Sequence, residues 1–412
     1  MSRFRGLWRN PDFLKLWGGQ SISILGSSIT ALALPTTAIL VLHANPFEVG
    51  LLIALARLPF PILALVAGAW VDRVRRRPLM IAADIGQLVA LGSIPLAAAV
   101  GALTLYQLYA VALITGVFTV FFDISYLAYV PSLVGREAVV EANTKLQFSG
   151  SVTSLAGPSL AGLLIQLLGS ARAITLDAAS FLVSSLTLLW IRAPEPRLPS
   201  GGRSGARDIA EGLGFVFGHP LLRALCLIVG ASIFGFHAAE SAQYPFYLQQ
   251  LRLSPGTVGL ILSAGGVGAL AGVFLTSRLI RALGVGPAIG WSGLLMGLAV
   301  CGQTLATVFP PVAALALFIF LGGLLDPVHN VTQQSLRQGL TPDSLQGRMS
   351  ATFRTVYWGA WPLGNLVGGI LAVNIGLVPT ILLGGAWGAA VSLLVFATPL
   401  RTVREHPTRP NQ

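Results

Sequence analysis

Twelve predominantly apolar segments, most of them 20 residues or longer, follow one another along the chain. A helix needs about 20 apolar residues to cross the hydrocarbon core of a bilayer. The sequence therefore predicts an all-α membrane protein with twelve transmembrane helices. The first segment is too long for a signal-peptide core and no cleavage site follows it, so we expect it to remain. The predicted spans are 12–41, 46–71, 78–100, 104–130, 144–168, 172–192, 220–249, 255–280, 284–306, 311–337, 348–374 and 377–399.

The composition excludes several classes of protein. Charged residues make up 10% of the 412 and hydrophobic residues 54%, whereas a soluble protein has about 25% charged residues. A soluble enzyme, a nucleic-acid-binding protein and a disordered chain are therefore excluded, despite the net charge of +11. Cys226 and Cys301 lie in apolar segments without metal-ligand spacing. There is neither a phosphate-binding loop nor a catalytic triad, so we expect no cofactor, no metal and no enzymatic activity.

The basic residues orient the predicted helices. If both termini are cytoplasmic, 23 of the 26 Lys and Arg residues lie on the cytoplasmic side. The outer side then receives only Arg172 and Arg252, and Arg57 lies within the membrane. Cytoplasmic loops of membrane proteins carry an excess of Lys and Arg. We therefore expect a multi-pass protein of the cell (inner) membrane with both termini in the cytoplasm.

The longest connection divides the chain into two halves. Residues 193–219 begin with a Pro- and Gly-rich stretch, typical of a flexible linker. Ile209, Leu213, Val216 and Phe217 then recur at helical spacing, which predicts a short amphipathic helix on the cytoplasmic membrane surface. The expected domains are a six-helix bundle over 1–192, the linker 193–219, a second six-helix bundle over 220–400 and a cytoplasmic tail over 401–412.

The two halves resemble each other at a shift of 203–209 residues. Parallel six-helix repeats are typical of transporters whose substrate site lies at the midplane between the repeats. A channel would more often show a pore loop or a narrow filter, and the sequence has neither. The matching pairs are Asn10-Pro11 with His219-Pro220, Gly50-Leu51-Leu52 with Gly259-Leu260-Ile261, Phe122-Asp123 with Leu325-Asp326, and Gly157-Pro158 with Trp361-Pro362.

The segment 68–77, Gly-Ala-Trp-Val-Asp-Arg-Val-Arg-Arg-Arg, lies between the second and third spans. It resembles the Gly-x-x-x-Asp-Arg-x-Gly-Arg-Arg loop signature of the major facilitator superfamily, with Arg75 in place of the internal Gly. The resemblance implies a cytoplasmic gate in which Gly68 allows close helix packing and carboxylates pair with arginines. The alternative is a basic cluster that only fixes topology. The expected gate residues are Gly68, Asp72, Arg73, Arg76, Arg77, Asp84 and Asp123.

A second motif, Gly157-Pro158-Ser-Leu-Ala-Gly162, lies in the fifth span, with Gly150 seven residues earlier. It resembles the Gly-Pro-x-x-Gly-Gly antiporter signature of the same superfamily, with Ala161 replacing one Gly. The alternative is an ordinary Pro-kinked membrane helix. Three further short sequence segments resemble those of one branch of drug:proton antiporters, which contains macrolide-efflux proteins and the enterobactin exporter. They are Glu141-Ala-Asn143, Leu176-Asp-Ala-Ala-Ser-Phe181 and Pro342-Asp-Ser-Leu-Gln-Gly-Arg348.

Ionisable residues at membrane depth are costly and mark candidate functional sites. Arg57 and Glu240 fall at matching depths, so we expect a pair, either a static salt bridge or one that opens during transport. Glu240 is then the first candidate to carry a proton. Asp326 is the second, on a polar helix face with Asn330 and Gln333 that either lines a cavity or only bonds helices together. Asp177 lies near the outer boundary, where a packing or gate role is expected, and it is the remaining candidate for proton coupling.

These features together predict a secondary transporter that works by alternating access. The expected activity is export of amphipathic small molecules, such as drugs or macrolide-like compounds, in exchange for protons. The expected partners are a small-molecule substrate, protons and the lipid bilayer, and we expect a monomer. One alternative is export or facilitated movement of a physiological solute such as a siderophore or lysophospholipid. A remote alternative is a membrane sensor or scaffold that does not transport.

Overall fold

The computed structural model describes residues 6–71, 73–195 and 206–404. Within these ranges the chain is helical, and twelve helical segments are long and apolar enough to cross a membrane. This confirms the predicted all-α membrane fold. The α-helices are α1 (Pro11–Leu40), α2 (Pro46–Arg57), α3 (Pro59–Val71), α4 (Arg76–Ala99), α5 (Leu105–Val134), α6 (Val139–Leu168), α7 (Ser170–Leu189), α8 (Ala206–Gly218), α9 (Pro220–Pro245), α10 (Pro255–Leu283), α11 (Val285–Gly302), α12 (Pro311–Gly339), α13 (Gln346–Ile375) and α14 (Leu377–Ala397).

The predicted spans match these helices to within five residues, with one internal difference. The second span is two helices, because α2 ends at Arg57 and α3 begins at Pro59. Pro59 has no backbone N–H to donate and disfavours a helical conformation at the preceding Leu58. The seventh span continues beyond α9 as a π-helical turn, Phe246–Gln250, and the ninth continues as a 3₁₀-helix, Gln303–Thr307.

The helices form two compact units. The first unit comprises the described residues within 1–44, 55–203 and 254–260, and the second those within 45–54, 204–253 and 261–412. In the first unit α7 packs against α1 and α4, α5 packs against α3 and α4, and α6 packs against α1. In the second unit α9 packs against α13 and α14, while α11 packs against α12 and α14.

Backbone conformations at corresponding positions of the two halves support the internal repeat. His43 (φ 54°) and Arg252 (φ 53°) are the only non-glycine residues with positive φ among those described, and they stand 209 residues apart. Such a conformation is uncommon for residues other than glycine. Gly169 (φ 84°) and Gly376 (φ 92°) also correspond, since each precedes the last helix of its half.

Helix α8 is the amphipathic helix that the sequence predicted, and one side of it contacts protein. It packs against α13, and Val216 is fully buried in a core shared with Leu225 and Phe353. Gly212 permits this approach, because a Cβ there would stand 2.7 Å from the carbonyl oxygen of Arg348. Part of the apolar face of α8 therefore faces protein. The side chain of Ile209 and residues 196–205 lie outside the described part of the chain.

Candidate functional site

The arginines between α3 and α4 bind the ends of neighbouring helices. Arg77 donates from Nε to the carbonyl oxygen of Leu188 (2.7 Å) and from Nη2 to that of Leu189 (2.6 Å). These carbonyls lie in the last turn of α7, and that of Leu188 also accepts from the backbone N–H of Ile191 over 3.3 Å. In return, Glu195 caps α4 by accepting from the backbone N–H of Arg76 (2.6 Å) and of Arg77 (3.4 Å). Arg76 Nη1 also donates to the carbonyl oxygen of Ala128 on α5, over 3.0 Å.

The described contacts do not include two that the gate motif predicts. No described atom lies within 4 Å of the position that a Cβ on Gly68 would occupy, so its role in helix packing stays a prediction. Asp84 is fully buried, the polar side chain beside its carboxylate is that of Ser184 on α7, and no described arginine donates to it. Arg76 and Arg77 instead bind helix ends and Glu195. Arg73 is exposed after the end of α3.

The remaining parts of the predicted gate stay untested. Asp72 lies outside the described residues. Asp123 is half-buried on α5, eleven residues before that helix ends. A latch made by these two carboxylates and the arginines is therefore still a prediction.

The antiporter-like motif lies at a close helix contact within the first unit. Helix α6 continues through Pro158. A Cβ on Gly157 would stand 2.9 Å from the Ser28 side chain on α1, and one on Gly162 would stand 2.9 Å from the Cα of Gly259 on α10. These backbones approach each other because none of the glycines carries a side chain. Gly150 differs, because no described atom lies within 4 Å of its Cβ position.

Asp177 is packed in the first unit. Only 1% of its surface is exposed, and its Oδ1 accepts a hydrogen bond of 3.1 Å from Ser180. Gly26 on α1 lies against the same carboxylate, since a Cβ there would stand 2.6 Å from Oδ1. These contacts favour the packing role over a gate.

Glu240 lies in a cluster formed by α9 and α13. Its Oε2 is 2.5 Å from Nδ1 of His237 and accepts a hydrogen bond of 3.1 Å from Nε1 of Trp361. In one amide orientation Asn365 donates to the same oxygen over 3.3 Å, and in the other it donates to the His237 carbonyl. The carboxylate is thus surrounded by donors at mid-depth in the seventh span.

Stacked aromatic rings extend this cluster. The His237 imidazole lies on the Trp361 indole with ring centroids 3.9 Å apart and planes 13° apart. Trp358 stacks on Trp361 at 5.5 Å and 20°. Gly364 and Gly368 bring α13 this close to α9, because a Cβ on Gly364 would stand 3.1 Å from the His237 Cβ and one on Gly368 would clash with the Ala238 carbonyl.

A row of polar side chains follows α12 in the same unit. Asn330 donates to Asp326 Oδ1 (2.7 Å), Gln333 donates to Asn330 (2.9 Å), and the Tyr357 hydroxyl of α13 donates to Gln333 (2.8 Å). The three residues that the sequence placed on one face are therefore joined by hydrogen bonds. Among them, Asn330 is exposed, Asp326 half-buried and Gln333 buried.

Sequence reasoning missed several partners in these sites. The role of His237 had one local signal, its position three residues before Glu240 on one helix, which places both side chains on the same face. Glu195, Tyr357 and the Nε1–H of Trp361 gave no comparable signal, because their partners are more than 20 residues away in sequence. Arg57 belongs to the first unit and Glu240 to the second, and their pairing stays a prediction.

Twelve membrane-spanning helical segments, a duplicated six-helix arrangement and buried ionisable groups define a polytopic membrane transporter. The chain matches the family model described as Major Facilitator Superfamily over residues 16–356 and 241–412. It therefore belongs to the major facilitator superfamily and is a secondary transporter of that group. This membership confirms the expectation that it is a transporter and not an enzyme.

Relatives of known name are distant but span nearly the whole chain. The multidrug efflux pump Tap of Mycolicibacterium fortuitum is 25% identical, covering 91% of this chain and 92% of its own. The enterobactin exporter EntS of Escherichia coli O1:K1 / APEC is 26% identical, covering 97% and 94%. A bacterial homologue of the iron transporter ferroportin, crystallised in the inward-facing state, has the same fold, with a TM-score of 0.76, 16% identity and coverage of 96% and 99%.

Proposed function

We propose that this protein exports amphipathic small molecules in exchange for protons by alternating access. The observation that carries the proposal is the Glu240 cluster, in which a mid-membrane carboxylate is bound by His237 and Trp361. An ionisable group at such depth is energetically costly, and such groups in membrane spans usually have a functional role. A proton-coupled exporter needs such a group, because it must bind a proton on one side of the membrane and release it on the other.

The hydrogen-bonded row from Asp326 to Tyr357 supports a substrate site in the same unit. It presents a carboxylate, two amides and a phenol on neighbouring helices. Trp358 and Trp361 add an apolar aromatic surface. Ligand sites combine an apolar lining with a few polar groups that fix orientation, so this combination suits a molecule with both characters.

A second candidate function is export of a siderophore. The similarity to the enterobactin exporter favours it, since it covers 97% of this chain at 26% identity. The polar row could bind a ligand rich in hydroxyl and carbonyl groups. The proposed location and orientation are the same for both candidates. The protein lies in the cell (inner) membrane, with both termini and the linker 193–219 in the cytoplasm.

Transport by the purified protein in liposomes would test the proposal. Vesicles with an imposed pH gradient would be given lipophilic cations, macrolides and a catecholate siderophore, and we expect gradient-driven accumulation of one of these classes. Glu240→Gln should lower this accumulation about tenfold at pH 7.5, and Asp326→Asn should be measured beside it as the competing candidate. Glu137→Gln changes an exposed acid of the first unit and is the matched control.

Accumulation that is independent of the pH gradient would contradict proton exchange. A normal Glu240→Gln variant together with an inactive Asp326→Asn variant would move the coupling site to α12. Exchange of labelled substrate without a gradient, measured on each variant, shows that the protein is folded and still binds substrate.

A further inference from the structure

The short contact between His237 and Glu240 relates the tautomer of the imidazole to the charge of the carboxylate. A ring nitrogen and a carboxylate oxygen separated by 2.5 Å require a hydrogen between them, because two lone pairs would repel at that distance. With Glu240 ionised, Nδ1 of His237 carries that hydrogen. The bond thereby fixes the tautomer and leaves Nε2 as the ring atom that can take up a further proton.

The surroundings of the imidazole suit a positive charge. The carboxylate of Glu240 lies at one edge of the ring, and the Trp361 indole covers one face at 3.9 Å. Cations over an indole face are attracted by the ring quadrupole. The Trp361 Nε1–H also donates to the Glu240 oxygen, which holds the carboxylate in place beneath Nδ1.

Both side chains of the pair are partly exposed. The His237 side chain keeps 19% of its surface exposed and that of Glu240 keeps 25%. His237 is 17 residues from the start of α9 and 13 from Gln250, which at 1.5 Å per residue places it about 25 Å and 20 Å from the two ends of this span. The pair therefore lies far from both ends of the span, and protein does not cover it completely.

We propose that the exchanged proton binds to Nε2 of His237, with Glu240 as the positioning group that fixes the tautomer and compensates the charge. Uptake of a proton at Nε2 converts the neutral ring into an imidazolium, and Nδ1 keeps its hydrogen bond to Oε2. Release from Nε2 restores the neutral ring. The inference rests on the proposed proton exchange and names the atom that performs it.

The elements around the His237–Glu240 pair carry other titratable groups, which a test of the proton site has to distinguish from His237. Tyr247 interacts electrostatically with Glu240 and with Tyr244. The hydroxyl of Tyr247 donates to Gln303 over 2.6 Å. Helix α14 and the α11 segment carry no charged residue, and Arg348 at the start of α13 pairs with Glu211. The other charged side chains of this unit on these elements are Glu48, Arg223, Asp326, Arg337, Arg354 and Arg401.

The pH profile of gradient-driven transport separates a proton on His237 from a proton on Glu240. If the proton binds to His237, gradient-driven transport by the wild type should vary with pH and show a midpoint. Glu240→Gln removes the compensating anion and should move the midpoint about one pH unit lower, without abolishing it. His237→Gln should make transport independent of pH. Trp361→Phe keeps a stacked ring but loses the N–H donor, and should shift the midpoint by less than Glu240→Gln.

His329→Gln is the matched control, because His329 is a membrane-span imidazole whose Nδ1 faces Ser292 of α11 (3.2 Å); its midpoint should equal that of the wild type. Counterflow of substrate without a gradient verifies that each variant folds and binds. A flat profile for Glu240→Gln, or an unchanged midpoint for His237→Gln, would place the proton on Glu240 and overturn the inference. If transport by the wild-type protein does not depend on the pH gradient, the proposed function itself is contradicted, and the inference falls with it.

Discussion

Nε of Arg77 donates a 2.7 Å hydrogen bond to the carbonyl oxygen of Leu188, which lies 111 residues away at the end of α7. With the second bond to Leu189, this arginine closes the last turn of a helix that packs along α4. The basic loop that the sequence associated with gating therefore also ties two helices of the first unit together. The arginines of this loop bind different helices, since Arg76 donates to α5 and Arg77 to the end of α7.

Loss of this cap should lower stability. Arg77→Gln removes charge-assisted bonds to two carbonyls and should cost about 2 kcal/mol, since hydrogen bonds to charged groups contribute roughly 1.5–3 kcal/mol. Thermal unfolding of the protein in detergent measures the effect. Arg73→Gln alters an exposed neighbour and should leave the unfolding temperature unchanged. Equal losses from both variants would mean that Arg77 acts only through net charge.

Asp84→Asn should be tolerated, because Asp84 is fully buried and no described basic side chain pairs with its carboxylate. Burial of a carboxylate without a basic partner is costly, and the neutral amide has nearly the same shape. We expect equal or higher thermal stability and retained transport. The same change at Asp12 provides the contrast, since Asp12 accepts from Lys15 and from the backbone N–H groups of Arg192 and Ala193. A strongly destabilised Asp84→Asn variant would show that a partner absent from the described residues binds this carboxylate.

Two glycines of α6 should respond differently to alanine. Gly162→Ala places a methyl group 2.9 Å from the Cα of Gly259, where backbone must move. Overpacking of this kind costs about 1–3 kcal/mol. Gly150→Ala meets no described atom within 4 Å and should gain up to about 1 kcal/mol from helix propensity. Unfolding temperatures and transport rates of the two alanine variants test the close contact of Gly162 with Gly259. Equal values for both variants would contradict it.

The proposed orientation predicts which exposed positions react with a membrane-impermeant thiol reagent. In a background lacking Cys226 and Cys301, Ala102→Cys lies in the exposed connection between α4 and α5 and should label in intact cells. Ser344→Cys lies in the exposed connection before α13 and should label only after the membrane is permeabilised. The reverse pattern would invert the topology. Residues 203 and 407, in the linker and the tail, should behave like 344, although both lie outside the described residues.

The number and bounds of the spans could be predicted from the sequence because they depend on local properties. Twenty consecutive apolar residues have no stable alternative to a helix in a bilayer, and helix ends carry their own signals. At α1, for example, Asn10 accepts from the backbone N–H of Phe13, ahead of Pro11 at the first helical position. The break at Leu58 follows equally from Pro59. The row of Asp326, Asn330 and Gln333 was predictable for the same reason, because helical spacing alone places them on one face.

The partners of the ionisable groups were decided only by the tertiary structure. Helical periodicity gives the face on which a side chain lies but not the helix that comes to cover it. Arg77 therefore looked like a partner for Asp84, yet its guanidinium donates to the Leu188 and Leu189 carbonyls at the end of α7. Likewise His237 is made a candidate proton site by Trp361, 124 positions further along the chain, and this contact exists because Gly364 and Gly368 let α13 approach α9. Close approach of this kind depends on two surfaces at once, and a single sequence segment describes only one of them.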